Sequence, residues 1–255
     1  MIIVQKNMQV TAVILAAGKG TRMGSDLAKV LHPLAGVPMI RHVVRSVTDA
    51  GIHEIVVVVG HQREAVRTAI TRYYPGVLYA VQEAQLGTGH AVQCALSACP
   101  ETSDHVLILC GDTPLVTPAI INGVIESHLT SASDLSVLAV TVDDPTGYGR
   151  VVTGADGQVR AIVEEADADR DTRRICHVNS GIYCVRRQVL SGALSQLSCT
   201  NTQSEFYLTD IVSISSAAGF NVSAPAVSLD PIAVMGVNTP ADLIRAERYF
   251  TCTRT

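Results

Sequence analysis

The chain has 255 residues, enough for one large domain or a domain with a lobe, and for a sizeable buried core. Hydrophobic residues make up 47% and charged residues 16%, which excludes a disordered tether. A formal net charge of −4, with acidic and basic residues interspersed, excludes the basic footprint of a nucleic-acid binder, and no apolar run is long enough to span a bilayer.

Residues 1–9 read as a short extension, because Met1 to Val10 has no sustained apolar core and does not read as a signal peptide. Ala12-Val13-Ile14-Leu15 has no polar alternation and reads as a strand buried on both faces. It runs into Gly18-Lys19-Gly20-Thr21-Arg22, where glycines let the backbone turn sharply and approach a ligand. Backbone N–H groups in such a turn form an anion-binding concavity, and Lys19, Arg22 and Lys29 add charge. The stretch points to a phosphate site at the carboxyl edge of a sheet. It is not a Walker loop, since no Gly-Lys-Ser/Thr follows. It also fails the G-x-G-x-x-G dinucleotide fingerprint, because Gly24 falls one place late.

Pro38 to Ala50 reads as a helix with the apolar stripe Met39, Ile40, Val43, Val44 and Val47, stopped by Gly51. Ile55 to Val59 is a second buried strand, and Gln62 to Arg72 is helical up to the break at Pro75-Gly76. Val77 to Val81 is a third strand, Thr88 to Ala98 a helix opened by Gly87, and His105 to Cys110 a strand ending in Gly111-Asp112. This alternation predicts a doubly wound α/β sheet, mostly parallel, with its loop ends at one edge. The glycine loop, Gln82 to Thr88 and Asp112 then share one crevice.

The second half is less regular. Leu135 to Val142 is a strand, and Val151 to Thr153 and Gln158 to Val163 flank a hairpin turn at Gly154-Ala155-Asp156-Gly157. Ala166 to Arg174 is charged and exposed. Ile182 to Val185 is a strand, followed by helices over Gln188 to Leu197 and Glu205 to Ala218 and a late strand over Asn221 to Val227. Thr239 caps a terminal helix with Pro240 in its first turn. The parts are residues 10–130, 131–238 and a C-terminal helix and tail over 239–255. The seven cysteines are an odd number without C-x-x-C, and the eight histidines are scattered without H-E-x-x-H. Neither a disulfide framework nor a zinc site fits; thiols in a reducing cytoplasm and satisfied core or surface histidines do.

L-A-A-G-K-G-T-R-M followed by a lysine resembles the signature of the sugar-1-phosphate nucleotidyltransferases, most closely the uridylyltransferase domain of the bifunctional N-acetylglucosamine-1-phosphate uridylyltransferases. The resemblance continues through Q-E-A-Q-L-G-T-G-H-A (82–91), G-D-T-P-L (111–115), D-D-P-T-G-Y-G-R (143–150), I-V-E-E (162–165), V-N-S-G-I (178–182), E-F-Y-L-T-D (205–210) and G-V-N (236–238), in family order. It implies a mixed, mostly parallel Rossmann-like nucleotidyltransferase sheet, with residues 10–130 as nucleotide half and 131–238 as sugar half with a small β lobe. It also implies uridylyl transfer from UTP to a sugar 1-phosphate, N-acetylglucosamine 1-phosphate first. Alternatives are another sugar or cyclitol phosphate, another nucleoside triphosphate, or a silent nucleotide-sugar-binding subunit. The hexapeptide repeats of the relatives' acetyltransferase half do not occur in these 255 residues.

By the same resemblance, Leu15, Ala16, Ala17, Gly18, Gln82, Gly87, Thr88 and Gly111 lie along the nucleotide, with Gln82 at the base. Arg22 and Lys29 are the catalytic cations on the phosphates. Asp112 and Asn238 hold Mg2+, and Gly149, Glu164 and Asn179 hold the sugar. The partners implied are the small-molecule substrates, with no nucleic acid and no membrane; oligomeric state is left open. Two departures stand out. The family usually has proline where this chain has Ala28, which implies a less rigid loop, and often tyrosine where it has Cys110, which alters packing near the ligand.

Overall fold

The computed structural model describes residues 8–225, 227 and 229–253. Residues 1–7 of the expected extension, residues 226 and 228, and the last two residues of the tail lie outside the described residues.

The first strand, β1 (Val10–Ala16), leads through short 3-10 turns at Thr21–Met23 and Lys29–Leu31 to a small hairpin, β2 (Pro33–Leu34) and β3 (Val37–Pro38). There follow α1 (Met39–Asp49), β4 (Ile55–Val59), α2 (Arg63–Thr71), β5 (Leu78–Val81), α3 (Thr88–Leu96), β6 (His105–Cys110), α4 (Pro118–Thr130) and β7 (Leu135–Thr141). The hairpin β8 (Arg150–Thr153) and β9 (Val159–Val163) precedes the long β10 (His177–Arg186). The chain ends with α5 (Arg187–Leu194), α6 (Asp210–Ala217), β11 (Val222–Ser223) and α7 (Pro240–Cys252).

The large sheet has the order β11-β7-β10-β6-β1-β4-β5, with β8 on β10 and β9 on β8. β1 pairs in parallel with β4 and β6, and β4 with β5, so residues 10–130 contain the expected doubly wound sheet. β10 runs antiparallel to β6 and β7, which makes the sheet mixed. Alternation along these strands feeds two layers. Ala12, Ile14, Val57, Leu107 and Leu109 face α1, α2 and α4, while Val13, Val56, Val58, Val106 and Ile108 face α3, α5 and α6. Burial on both faces is why β1 and β4 read as continuous apolar runs. The α1 stripe Met39, Ile40, Val43, Val44 and Val47 is fully buried, as its spacing predicts.

The structure departs from the expected elements in several places; the β2–β3 hairpin was not expected, and β10 begins at His177, five residues before the expected Ile182. α4 was not expected either; it opens with Thr117 accepting from Ile120 N and Pro118 in the first turn, the same signal that opens α7. The helix expected from Glu205 begins only at Asp210, because Phe206 is held by other partners: its N–H donates to Leu86 O at 2.8 Å and its carbonyl accepts from Gly89 N at 2.8 Å. The late strand shortens to Val222–Ser223, which pairs in parallel with Leu135–Ser136. No helix among the described residues is long and apolar enough to cross a membrane.

Candidate active site

The carboxyl ends of β1, β5 and β6 open on one cavity of about 290 Å³. Leu15, Ala16, Ala17, Gly18, Lys29, Gln82, Gly87, Thr88 and Asp112 line it, together with Val30, Gln85, Ala91, Cys110 and Glu205. Gly111, expected along the nucleotide, is not among the lining residues; it sits between Cys110 and Asp112, which are, and its N–H donates to Leu15 O at 2.8 Å. A Cβ there would come within 2.8 Å of Ile40 Cδ1 and 3.1 Å of Leu15 O, so the strand end leaves no room for a side chain. Arg22 and Asn238 border a neighbouring cleft of about 710 Å³ that also includes Tyr148 and Asp144.

The glycine loop is shaped to deliver Lys29. Gly20 has φ 68°, and a Cβ on it would collide with Lys29 Cβ. Gly24 also has positive φ, 63°, but faces open space. Lys29 then reaches across the sheet edge. Its ammonium forms a short ion pair with Asp112 Oδ2 and donates to Asn238 Oδ1 at 3.0 Å. Arg22 Nη2 donates to the same amide oxygen at 3.0 Å. Four residues from three distant stretches thus close on one point. Both Asp112 and Asn238 offer oxygen to a single cation there. Gly236 flanks them, where a Cβ would lie 3.4 Å from Asp112 Oδ1. A carboxylate plus an amide oxygen is a donor set suited to a hard divalent cation such as magnesium.

Ala28 has φ −53° and ψ 133°, the conformation a proline would impose. The rigidity expected to be lost is supplied differently. Ala28 N donates to Gln62 Oε1 at 3.0 Å, and Gln62 Nε2 donates to Asp26 O at 2.7 Å. Gln62 clasps the loop through a bond that a proline nitrogen cannot make. Nothing in the local sequence marks it, since it lies 34 residues away. Cys110 fills the gap beside Gly181, where a Cβ would come within 3.1 Å of its sulfur. Burial pushes its thiol up to about 12, with the Asp112 carboxylate adding to the effect, so it lines the cavity as a neutral group.

Gly149, Glu164 and Asn179 come together beyond β6. Asn179 N donates to Gly149 O at 2.9 Å, and a Cβ on Gly149 would lie 3.5 Å from Glu164 Oε2. Glu164 accepts from Thr209 Oγ1 at 2.9 Å, and burial holds its carboxyl above the usual range despite that bond. Asn179 bonds inward, donating to Tyr183 Oη at 2.7 Å and accepting from Gly181 N at 2.9 Å. Arg150, 1% exposed, fixes the loop before Gly149 and was not singled out from sequence: it donates to Tyr148 O and, at 2.5 Å, to Glu165.

A second polar group sits away from this edge. His105, His128 and Cys184 are buried together between β6, α4 and β10. The imidazoles bond each other at 3.0 Å, and His128 continues to Ser136 Oγ at 2.8 Å. These are satisfied core histidines, as expected for scattered ones.

Residues 12–182 match the family described as the MobA-like NTP transferase domain. The chain belongs to this family. It is similar to the bifunctional protein GlmU of Geobacter metallireducens, 46% identical over 241 residues that cover 93% of this chain and 50% of that protein. The GlmU of Geotalea uraniireducens is 47% identical over 238 residues, covering 92% and 51%. That of Desulfotalea psychrophila is 42% identical over 243 residues, covering 95% and 71%. The chain spans about half the length of the first two relatives. A solved nucleotidyl transferase from Methanothermobacter thermautotroptrophicus shares the fold, with TM-score 0.66 at 20% identity over 96% of this chain and 99% of that one. In this NTP transferase domain, the cavity and the Arg22, Lys29, Asp112 and Asn238 cluster occupy the carboxyl edge, where doubly wound sheets bind their ligands.

Proposed function

We propose that this chain transfers the uridylyl group of UTP to N-acetylglucosamine 1-phosphate, giving UDP-N-acetylglucosamine and pyrophosphate. The observation that carries the reading is the convergence of Lys29, Arg22, Asp112 and Asn238 on one point beside a glycine-rich cavity. The similarity to GlmU over more than nine-tenths of the chain supports the choice of substrates.

The sugar phosphate brings its own nucleophile. A phosphate oxygen forms a bond to the α-phosphorus as the bond from that phosphorus to the β-phosphate bridge breaks, and the electron pair leaves with pyrophosphate. No covalent enzyme intermediate or strong base is needed, so the protein's work is positioning and charge neutralisation. Backbone groups from Leu15 to Gly18 cradle the nucleotide, with Gly87 and Thr88 on the facing wall. Arg22 and Lys29 supply fixed positive charge where two anions must meet. Asp112 and Asn238 hold the magnesium, which when bound neutralises phosphate oxygens. Glu164 accepts from sugar hydroxyls, with Gly149 and Asn179 shaping that side. The enzyme works in the cytoplasm.

Pyrophosphate release with magnesium, across four nucleoside triphosphates and several sugar 1-phosphates, tests the reading. Release confined to UTP with N-acetylglucosamine 1-phosphate upholds it. Release with another pair keeps the reaction class and moves the substrate. No release from any pair rejects the activity.

A further inference from the structure

Gln82 is 4% exposed and lines the nucleotide cavity. Its amide nitrogen has two hydrogens, and each has an acceptor: Gly87 O at 2.9 Å and His90 Nδ1 at 3.1 Å. Rotating the amide by half a turn would set its oxygen against the Gly87 carbonyl, and against His90 Nδ1 as well when that nitrogen carries no proton, so the two together hold this orientation. The oxygen, Oε1, has no donor among the described residues and remains an acceptor for whatever enters.

The lock depends on His90. For Nδ1 to accept, the ring proton must sit on Nε2, and Cys94 Sγ lies 3.7 Å from that nitrogen, one helical turn further along α3. Burial raises the Cys94 thiol, so it stays neutral, and its sulfur can accept weakly from an Nε2–H. Gly87 O alone would leave one amide hydrogen free and weaken the preference for this orientation.

We propose that His90 sets the nucleobase choice: by holding Gln82 with its oxygen toward the base, it selects a pyrimidine whose N3 carries a hydrogen and rejects one whose N3 is an acceptor. The inference rests on the nucleotide reading of this cavity given above. Uracil donates from N3 and meets Oε1 as a hydrogen bond. Cytosine, of the same size, sets a lone pair against that oxygen. A loosened Gln82 can turn and offer Nε2 to cytosine instead. His90 is not among the residues that line the cavity; it is a positioning residue.

The test compares kcat/KM for UTP and for CTP in the wild type, His90→Leu and His90→Asn, together with calorimetric binding of UDP and CDP. Asparagine can place a side-chain acceptor where Nδ1 stands; leucine cannot. Leucine should lower the UTP-to-CTP ratio at least tenfold, mainly through KM, and lower the UDP-to-CDP affinity ratio in parallel. Asparagine should restore most of both ratios. A ratio unchanged within twofold in His90→Leu, beside a wild type that prefers UTP, overturns the role of His90 and leaves the base reading intact. Equal losses of ratio in both variants also overturn it, since a general packing defect is not rescued by an acceptor. A wild type without preference between UTP and CTP, or between UDP and CDP, removes the base reading and this inference together.

Discussion

Gly20→Ala separates the geometry of the loop from its backbone strain. Gly20 has φ 68° and ψ 45°, so alanine costs about 1 kcal/mol in backbone conformation. Gly24 has φ 63° and ψ 29° and would incur the same cost. Only at Gly20 does the added methyl collide with Lys29 Cβ, whereas at Gly24 it points into open space. Relief of the collision displaces the Lys29 stem by about 1 Å, and a displacement of that size at a charge-stabilising group lowers turnover on the order of 100-fold. Gly24→Ala should keep kcat within a few-fold of wild type. Urea midpoints for both variants, with kcat and KM from pyrophosphate release, provide the comparison. Similar stability losses with a large activity loss only in Gly20→Ala are expected. Equal activity in the two variants would refute the idea that close approach of the loop delivers Lys29.

Other consequences are as direct. Asp112→Ala should abolish magnesium-dependent turnover while the circular dichroism spectrum stays native, and Lys29→Met should lower kcat about 100- to 1,000-fold; retained activity in Asp112→Ala would remove the metal assignment. Gln62→Ala frees Ala28 N and should lower kcat/KM, and adding Ala28→Pro should recover part of the loss, because the ring imposes the φ of −53° that Gln62 otherwise maintains. No recovery would mean that Gln62 acts on something other than that loop. Burial lowers the His128 imidazole to about 4 and, with it, the His105 imidazole below its usual value. Between about pH 6.5 and 4 the unfolded imidazoles take protons that the folded ones refuse, so stability falls as pH drops through that window, by about 3 kcal/mol at its acid end. Urea midpoints at pH 7.5 and 5.0 should differ more in wild type than in His105→Leu/His128→Leu; an equal difference would place the acid sensitivity elsewhere.

Much of residues 10–130 is legible in the sequence because the strands there are buried on both faces. Ile55 to Val59, five β-branched residues all buried, has no plausible alternative to a strand. α4 is harder to read. Its interior contains Asn122-Gly123, a pair that usually marks a turn. The segment from Glu205 to Thr209 has helical apolar spacing, yet hydrogen bonds from the cavity rim at Leu86 and Gly89 win over local propensity. The reading of the glycine loop and its cations as a phosphate site comes from residue chemistry alone, and the fold brings Arg22 and Lys29 together at the sheet edge. Asn238 could not be read that way, since it lies 209 residues from Lys29 and only the folded chain or a family resemblance joins them. Gln62 acts on the backbone of a distant loop and His90 on the Gln82 side chain, so their residue types alone do not mark what they do.

The central claim is direct transfer of a uridylyl group, and following the α-phosphorus tests it most closely. Incubation with UTP labelled at the α-phosphate, magnesium and N-acetylglucosamine 1-phosphate should place all transferred label in UDP-N-acetylglucosamine, with none in pyrophosphate and none on the protein. Label retained on the protein, or no labelled nucleotide sugar at all, would contradict the account.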